Sequence, residues 1–438
     1  MSNINSTPVE ILQDTADAIR GKTGGTADLK PYQFPAEIDS IQTGGGGGVV
    51  EKDVNFYTPY GDLVASWTMA EARAATELPA APELPRLTFQ EWNWSLAEIK
   101  VEDKALDVGG TYVTASGKTE FDFTFTAVSG LAVSLAINNK VSGGLISVDW
   151  GDGATENAST TTVGTKTFTH TYSVVGDYIV SVDSTAEYEL YGTAATPYNM
   201  FGGIPNYTCV AVRCGTRCVA LAGDTFRNCT SLSKVVLSKF VLSMGDYPFQ
   251  LNYGIGNITL PKSITALNGA FRAMYRLCSV QIPPSTISFG TYLFYHDHSL
   301  VRAVLPTNLT SAAATNYMFG SCNVLREIIF PKISSLGIQA AATCYNLQRA
   351  VIPDTVINIE NQAFASNNGT MEYIFLRSAP PTLANTGAFT GINQLCKIKV
   401  PQGSLNAYRT ATNWATYANH IVEMTNDEMI KYGLAVTP

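Results

Sequence analysis

Charge is scarce in this chain and basic charge scarcest: 28 lysines and arginines stand against 36 acidic residues in 438. A net charge of −8 and a pI near 5.1, with no basic cluster anywhere, exclude a nucleic-acid binder, because phosphate recognition needs concentrated lysine and arginine. No run approaches the roughly 18 apolar residues of a membrane span, so membrane insertion is not expected. The N-terminus is polar, without a basic segment followed by an apolar run; no secretory signal is expected, and synthesis in a cytosol is. Cysteine is missing before residue 200. The eight present, Cys209, Cys214, Cys218, Cys229, Cys278, Cys322, Cys344 and Cys396, are spaced unlike a zinc ribbon or a dense disulfide framework. A glycine-rich phosphate loop, a serine or cysteine nucleophile motif and a framed carboxylate pair are all missing. Neither an enzyme nor a cofactor is expected, although glycosidase carboxylates can lie far apart in sequence. What is present is 45% hydrophobic residues against 15% charged, which points to folded material, and a length that implies several domains.

The first 43 residues read as a small helical unit. Thr7-Pro8-Val9-Glu10 is a capping box with proline at the first helical position, and Val9, Leu12, Ala16 and Ile19 mark one apolar face. Gly24-Gly25 ends that helix, and Pro35 to Ile41 starts a second. The glycine run in 44–50 is a linker. Residues 51–117 read as a small mixed module: strands around Val54–Tyr57 and Leu63–Trp67 joined by a turn at Pro59–Asp62, then a helix from Met69 to Ala75. Trp92 and Trp94 are expected to anchor its core, with a sugar-stacking platform as the alternative.

Residues 118–190 alternate at period two, as Phe121, Phe123, Phe125 and Tyr178, Val180, Val182 show. Val148-Asp149-Trp150-Gly151-Asp152-Gly153, followed by Thr169-His170-Thr171-Tyr172, resembles the PKD-type immunoglobulin-like domain. The resemblance implies a β-sandwich that serves as a spacer or adhesive module. Asp149 and Asp152 are expected to make turn hydrogen bonds rather than to hold calcium.

From residue 200 to 424 the chain repeats. Phe226, Phe249, Phe271, Phe294, Phe319, Phe364 and Phe389 recur at gaps of 23, 22, 23, 25, 45 and 25, the long gap containing a unit with Ala341-Ala342 in the aromatic slot. Six residues later stand Leu232, Ile255, Leu277, Leu300, Leu325, Leu347 and Leu395, with Thr370 breaking the rule. Apolar strands such as Ile328-Ile329-Phe330 follow, and proline often closes them. One strand and one turn per unit, each burying its apolar face against its neighbours, make a solenoid. Cys229, Cys322 and Cys344 share one slot and read as small buried hydrophobes; zinc at Cys214 and Cys218 is not expected. Unevenness is expected at Tyr247–Ile255, at Ala341-Ala342 and at Thr370. Phe319-Gly320-Ser321-Cys322-Asn323-Val324-Leu325 through Pro331 resembles the BspA-type leucine-rich repeat of bacterial surface antigens, and Val400-Pro401-Gln402-Gly403-Ser404-Leu405 leading to Trp414 is similar to that family's closing unit. Residues 425–438 read as a C-terminal tail. The fold class is thus multidomain and mainly β: a helical anchor, a mixed module, an immunoglobulin-like sandwich and a leucine-rich-repeat solenoid.

The family implies adhesion or recognition, which the fold alone does not specify. Tyr253, Tyr275, Tyr295, His296, His298, Tyr317 and Tyr345 are the candidate binding strip, the alternative being that the tyrosines pack between repeats. His296-Asp297-His298 is the single candidate metal cluster, and a solvated turn is the expected reading. Ile11 to Gly24 and Phe34-Pro35-Ala36-Glu37-Ile38 resemble the start of phage tail and baseplate-associated proteins, and 53–96 is similar to a module accompanying them. That resemblance implies a phage virion structural protein of tail-fibre or baseplate type, made in the host cytoplasm and released by lysis. Its expected partners are virion tail or baseplate proteins through the N-terminal segment, a host surface glycan or protein through the repeats, and further copies of itself in a homotrimer. The alternative is a bacterial cell-surface adhesin.

Overall fold

A computed structural model describes residues 53–102, 105–126, 132–192, 200–201, 209–306 and 315–436. The segments expected to form an N-terminal helical unit and a glycine linker lie outside the described residues.

The module's strands order as Leu63–Trp67, Val54–Tyr57, Leu106–Thr114 and Leu87–Trp92 in one sheet. Its helices Met69–Ala74 and Leu96–Val101 both start at capping boxes, Thr68 with Glu71 and Ser95 with Glu98, because a hydroxyl and a carboxylate three residues apart satisfy two free amides reciprocally. Trp92 and Trp94 are buried with Val54, Phe56 and Ile99, which removes them as an exposed sugar platform. The module is held to the repeats by buried polar contacts. Asn93 Nδ2 donates to the Leu260 and Gln281 carbonyls, both at 3.0 Å, and Trp94 Nε1 donates to the Ile282 carbonyl at 3.0 Å.

Two sheets then enclose Phe121, Phe123, Phe125, Val148, Trp150, Val180 and Val182, as the period-two pattern requires. In the turn, Asp149 Oδ1 accepts from the Gly151 amide at 2.9 Å and Asp152 Oδ1 from the Ala154 amide at 3.0 Å. Asp152 Oδ2 meets His170 Nε2 at 2.7 Å, His170 stacks on Trp150 at 5.1 Å, and the Tyr172 hydroxyl donates to the Trp150 carbonyl at 2.7 Å. Both sheets run on into the repeats. Thr119–Phe125 pairs antiparallel with Cys209–Arg213, which pairs parallel with Lys234–Val236; on the other side Tyr188–Leu190 pairs parallel with Cys218–Leu221. The edge strands that a solenoid would otherwise leave open are thereby paired, and a continuous apolar core runs from Phe121 to Ile421.

The repeat region is a β-solenoid with short parallel strands in two rows, such as Glu327–Ile329, Arg349–Ile352, Glu372–Phe375 and Lys397–Val400 in one and Ser335–Leu336, Asn358–Ile359 and Thr382–Leu383 in the other. The phenylalanines stack through its interior: Phe226 on Phe249 at 5.7 Å, Phe271 on Phe294 and Phe294 on Phe319 at 5.5 Å, and Phe364 on Phe389 at 5.3 Å. In every unit but the last, the residues two before and two after the aromatic slot are left-handed, as in Tyr292 and His296 (φ 62° and 66°) or Tyr317 and Ser321 (57° and 63°). With that alternation the amides before, at and after the slot all face the next repeat: Tyr292, Phe294 and His296 donate to the carbonyls of Asn316, Met318 and Gly320. Few of these residues favour the conformation by themselves; the hydrogen bonds to the next repeat hold it, and a third hydrogen-bonded row runs along the turns.

Where the phenylalanine is missing, Ala341 is buried in its slot and Phe330 swings in from the strand, 6.1 Å from Phe319 and 6.0 Å from Phe364. The aromatic column stays filled, so the expected unevenness is absorbed. Thr370 is buried in the aliphatic slot. Leu395 is a correction: it is 69% exposed, and Cys396, one residue on, is buried in its place. Cys229, Cys322 and Cys344 are all buried. The closing unit, with helix Leu405–Thr410, covers the last repeat; Trp414 Nε1 donates to the Pro381 carbonyl at 2.7 Å, and the Phe389 amide, with no further repeat to face, donates to the Tyr417 hydroxyl at 3.2 Å. The tail is also corrected. Asn426–Lys431 is a helix whose Met429 packs with Met424, Val351 and Ile374, because Thr425 and Glu428 form another capping box and the methionine gains an apolar sheet face.

Candidate recognition surface

Because the repeats stack in register, a residue at a fixed distance from the aromatic slot forms a column with its equivalents. Four residues after the slot stand Tyr253, Tyr275 and His298, with Tyr253 to Tyr275 and Tyr275 to His298 each 4.8 Å between ring centroids, edge to face. Two residues before it stand Tyr247, Gly269, Tyr292 and Tyr317, with Tyr292 stacked on Tyr317 at 4.8 Å and 8°. Tyr295 lies between the columns, 5.4 Å from Tyr292, 5.6 Å from Tyr317 and 4.2 Å from His296. His296 and His298 close the gap at 5.7 Å. Six of the seven candidates therefore form one ridge of touching rings across the units of Phe249, Phe271, Phe294 and Phe319.

Tyr345 does not join it. The residue occupies the same column as His298 and is 52% exposed, but Asn323 holds the intervening position, and Tyr345 makes none of the ring contacts found among the described residues. Tyr247, Arg272 and Tyr292 belong to the ridge and were not among the expected residues. The Arg272 guanidinium lies 4.6 Å from the Tyr292 ring, 5.8 Å from Tyr295 and 6.0 Å from Tyr247, filling the place in the row left open by Gly269. Two glycines seat the rings: a β-carbon on Gly269 would sit 2.2 Å from the Tyr247 ring, and one on Gly320 would sit 2.8 Å from Tyr295. The signal was available as a rise in tyrosine and histidine between 247 and 317, read in columns rather than singly.

The solvated turn expected at His296-Asp297-His298 is overturned. Asp297 is fully buried in the slot that holds cysteine in three other units and asparagine at 252 and 367. Its Oδ1 accepts from the Met274 amide at 2.7 Å, and burial pushes its carboxyl well above the ordinary carboxylate range. The two histidines stay outside, half-buried, so the three groups do not converge, and among the described residues no group of three or more potential ligands could hold a metal ion. Burial, then the neighbouring His298 and Arg272, holds the His296 imidazole below its ordinary range, and burial does the same to His298. The ridge is thus a face of neutral rings with one permanent cation.

A second feature is a shallow depression of about 360 Å³ lined by Arg326, Glu327, Gln348, Arg349, Met371 and Glu372. Its charges answer one another: Arg349 pairs with Glu327 at 3.4 Å and Glu372 at 3.2 Å, and Lys399 with Glu372 at 2.5 Å and with Glu428. It has fewer unused groups to offer than the ridge.

The sequence profile described as BspA type leucine rich repeat region matches residues 212–315 and 313–413, in six copies. This solenoid is built of BspA-type leucine-rich repeats. Among solved structures, the chain is similar to a T. pallidum leucine rich repeat protein (20% identity, TM-score 0.31, covering 42% of this chain and 82% of that one). It is also similar to a leucine rich cell surface protein of Faecalibacterium prausnitzii (16%, TM-score 0.26, 51% and 81%) and a leucine-rich repeat protein of Bacteroides ovatus (14%, TM-score 0.19, 48% and 82%). No curated protein matches the chain. The ridge lies within these BspA-type repeats, at their turns.

Proposed function

We propose that the protein is a leucine-rich-repeat adhesin that binds a cell-surface glycan or protein through the aromatic ridge, without catalysing a reaction. The observation that carries this is the ridge itself. Rings from four units touch in an unbroken, half-exposed series, and aromatic rings at a surface supply contact area at low entropic cost. We read 118–190 as a PKD-type spacer that both lengthens the molecule and closes the solenoid's first turn. The test is the full chain carrying Tyr253→Ala, Tyr275→Ala and Tyr295→Ala together, compared with wild type for adhesion to cells. Adhesion is expected to fall to background; retained adhesion overturns the reading. Release of sugars from wall polysaccharide above background would overturn the absence of catalysis.

A second reading is favoured by a separate observation, the resemblance of residues 11–38 to phage tail and baseplate proteins. In it the same ridge faces the host from a virion, the first 43 residues attach to tail or baseplate proteins, and the protein is a homotrimer. Deleting residues 1–48 separates the two. Lost incorporation into particles supports the virion; unchanged incorporation overturns attachment through the first 43 residues, and the absence of any particle carrying the protein leaves the adhesin.

A further inference from the structure

Several arginines elsewhere meet carboxylates, Arg86 and Arg213 on Asp122, Arg227 on Asp224, Arg349 on Glu327 and Glu372, and Arg73, Arg377 and Arg409 donate to backbone carbonyls. Arg272 is different. Among the described residues it has no carboxylate partner and no hydrogen-bond acceptor, and the Tyr247, Tyr292 and Tyr295 rings surround it. Ring faces attract a guanidinium through their quadrupole but leave its five N–H donors unused. A half-buried planar cation with free donors, fixed between aromatic rings, is a site for a planar anion taken in two parallel hydrogen bonds.

We infer that the ridge binds a carboxylated polysaccharide. The carboxylate of one sugar sits on Arg272, and the apolar C–H groups of neighbouring sugars pack along the solvent-facing edges of Tyr292, Tyr317, Tyr275 and Tyr253, whose rings are already stacked or edge to face with one another. This rests on the ridge being the binding surface. Three observations narrow the ligand to a sugar. The turn amides under the ridge already donate to the next repeat, so the surface offers no free edge for a peptide backbone. The rings recur once per repeat, at the strand spacing of about 4.8 Å, which suits a linear polymer lying along the solenoid. His296 and His298 are held neutral by burial, so the charge is a single fork and not the run of cations that a polyphosphate demands. In a chain of net charge −8, a lone cation also makes binding selective, since an acidic polymer is repelled wherever Arg272 is not engaged.

The experiment uses the full-length protein with immobilised polygalacturonate and with a sialyl-oligosaccharide conjugate, each beside its carboxyl-reduced neutral form. Wild type is expected to bind one of the acidic probes and to bind the reduced form at least about tenfold more weakly, the loss of one charge-assisted contact; which probe binds identifies the sugar as a uronate or a sialate. Arg272→Gln is expected to fall to the level of the reduced probe. Arg272→Lys, which keeps the charge and loses the fork, should lie between, and thermal melts show whether each variant is folded. Equal binding of acidic and reduced probes, or unchanged binding by folded Arg272→Gln, overturns the proposal. If neither probe binds while the triple tyrosine variant loses cell adhesion, the carboxylated sugar falls and the ridge stands. If the triple variant still adheres, both fall.

Discussion

Replacing Asp297 with asparagine should stabilise the protein, an unusual outcome for a fully buried position. In the equivalent slot, Asn367 accepts the Cys344 amide at 2.8 Å and donates to the Ala341 carbonyl at 2.7 Å, and Asn252 donates to the Phe226 and Phe249 carbonyls at 2.8 and 2.7 Å. Asp297 reproduces the accepting half on the Met274 amide, but its Oδ2 is buried without a partner. A carboxylate there is both desolvated and unable to donate to the preceding repeat, so its protonated form is favoured. Its folded pKa lies above the unfolded value near 3.8, and the folded protein therefore holds more protons than the unfolded chain over that interval. Stability contributed by the acid is full below pH 3.8 and declines as pH rises from there to the folded pKa. At pH 7 the folded protein must either keep that proton or bury the charge, at a cost of about 1–3 kcal/mol. Asp297→Asn removes that cost and supplies a donor for the Phe271 carbonyl, so it should gain about 1–3 kcal/mol at pH 7 and little at pH 4. Urea unfolding of both proteins at the two pH values, taken as a difference between variants, cancels every other titrating group. A variant less stable than wild type at pH 7, or a difference independent of pH, refutes the reasoning.

Phe330→Ala should open the aromatic column between Phe319 and Phe364 and destabilise the repeats by about 3–5 kcal/mol, read as a lower urea midpoint; a change below ~1 kcal/mol would mean that Ala341 and its neighbours close the gap. Asn93→Ala should strand the Leu260 and Gln281 carbonyls and the Gly109 amide, which Asn93 Oδ1 accepts at 2.7 Å, costing roughly 2–5 kcal/mol and making the 53–114 module a substrate for limited proteolysis while the repeats resist. Gly269→Ala should displace the Tyr247 ring, since the site has φ +55° and no room for a β-carbon, and weaken adhesion with about 1–2 kcal/mol lost in stability.

The repeat was legible because its signal is periodic: a buried slot must be apolar in every unit, and seven in phase leave no other reading. The exceptions were legible only as exceptions. Nothing adjacent in sequence says that Phe330 replaces the phenylalanine missing at 341, because that substitution is made across the core and not along the chain. Asp297 misled for a related reason. Flanked by two histidines it reads as a polar turn, but in register with Asn252, Asn367 and Cys344 it occupies a buried slot, and register outweighs local composition once neighbouring repeats fix the backbone. The ridge follows the same logic from the outside. Read singly, Tyr253 or Tyr317 is an ordinary half-exposed tyrosine, and Gly269 an ordinary glycine. Aligned by column, Gly269 is the space that admits Arg272 to a row of rings, and the row becomes a surface with a chemistry of its own. In a solenoid, core and binding face are thus specified by the same device, repetition at fixed spacing. Function is then to be sought in the columns where repetition is broken in several adjacent units at once, and in this protein those are the units of Phe249, Phe271, Phe294 and Phe319.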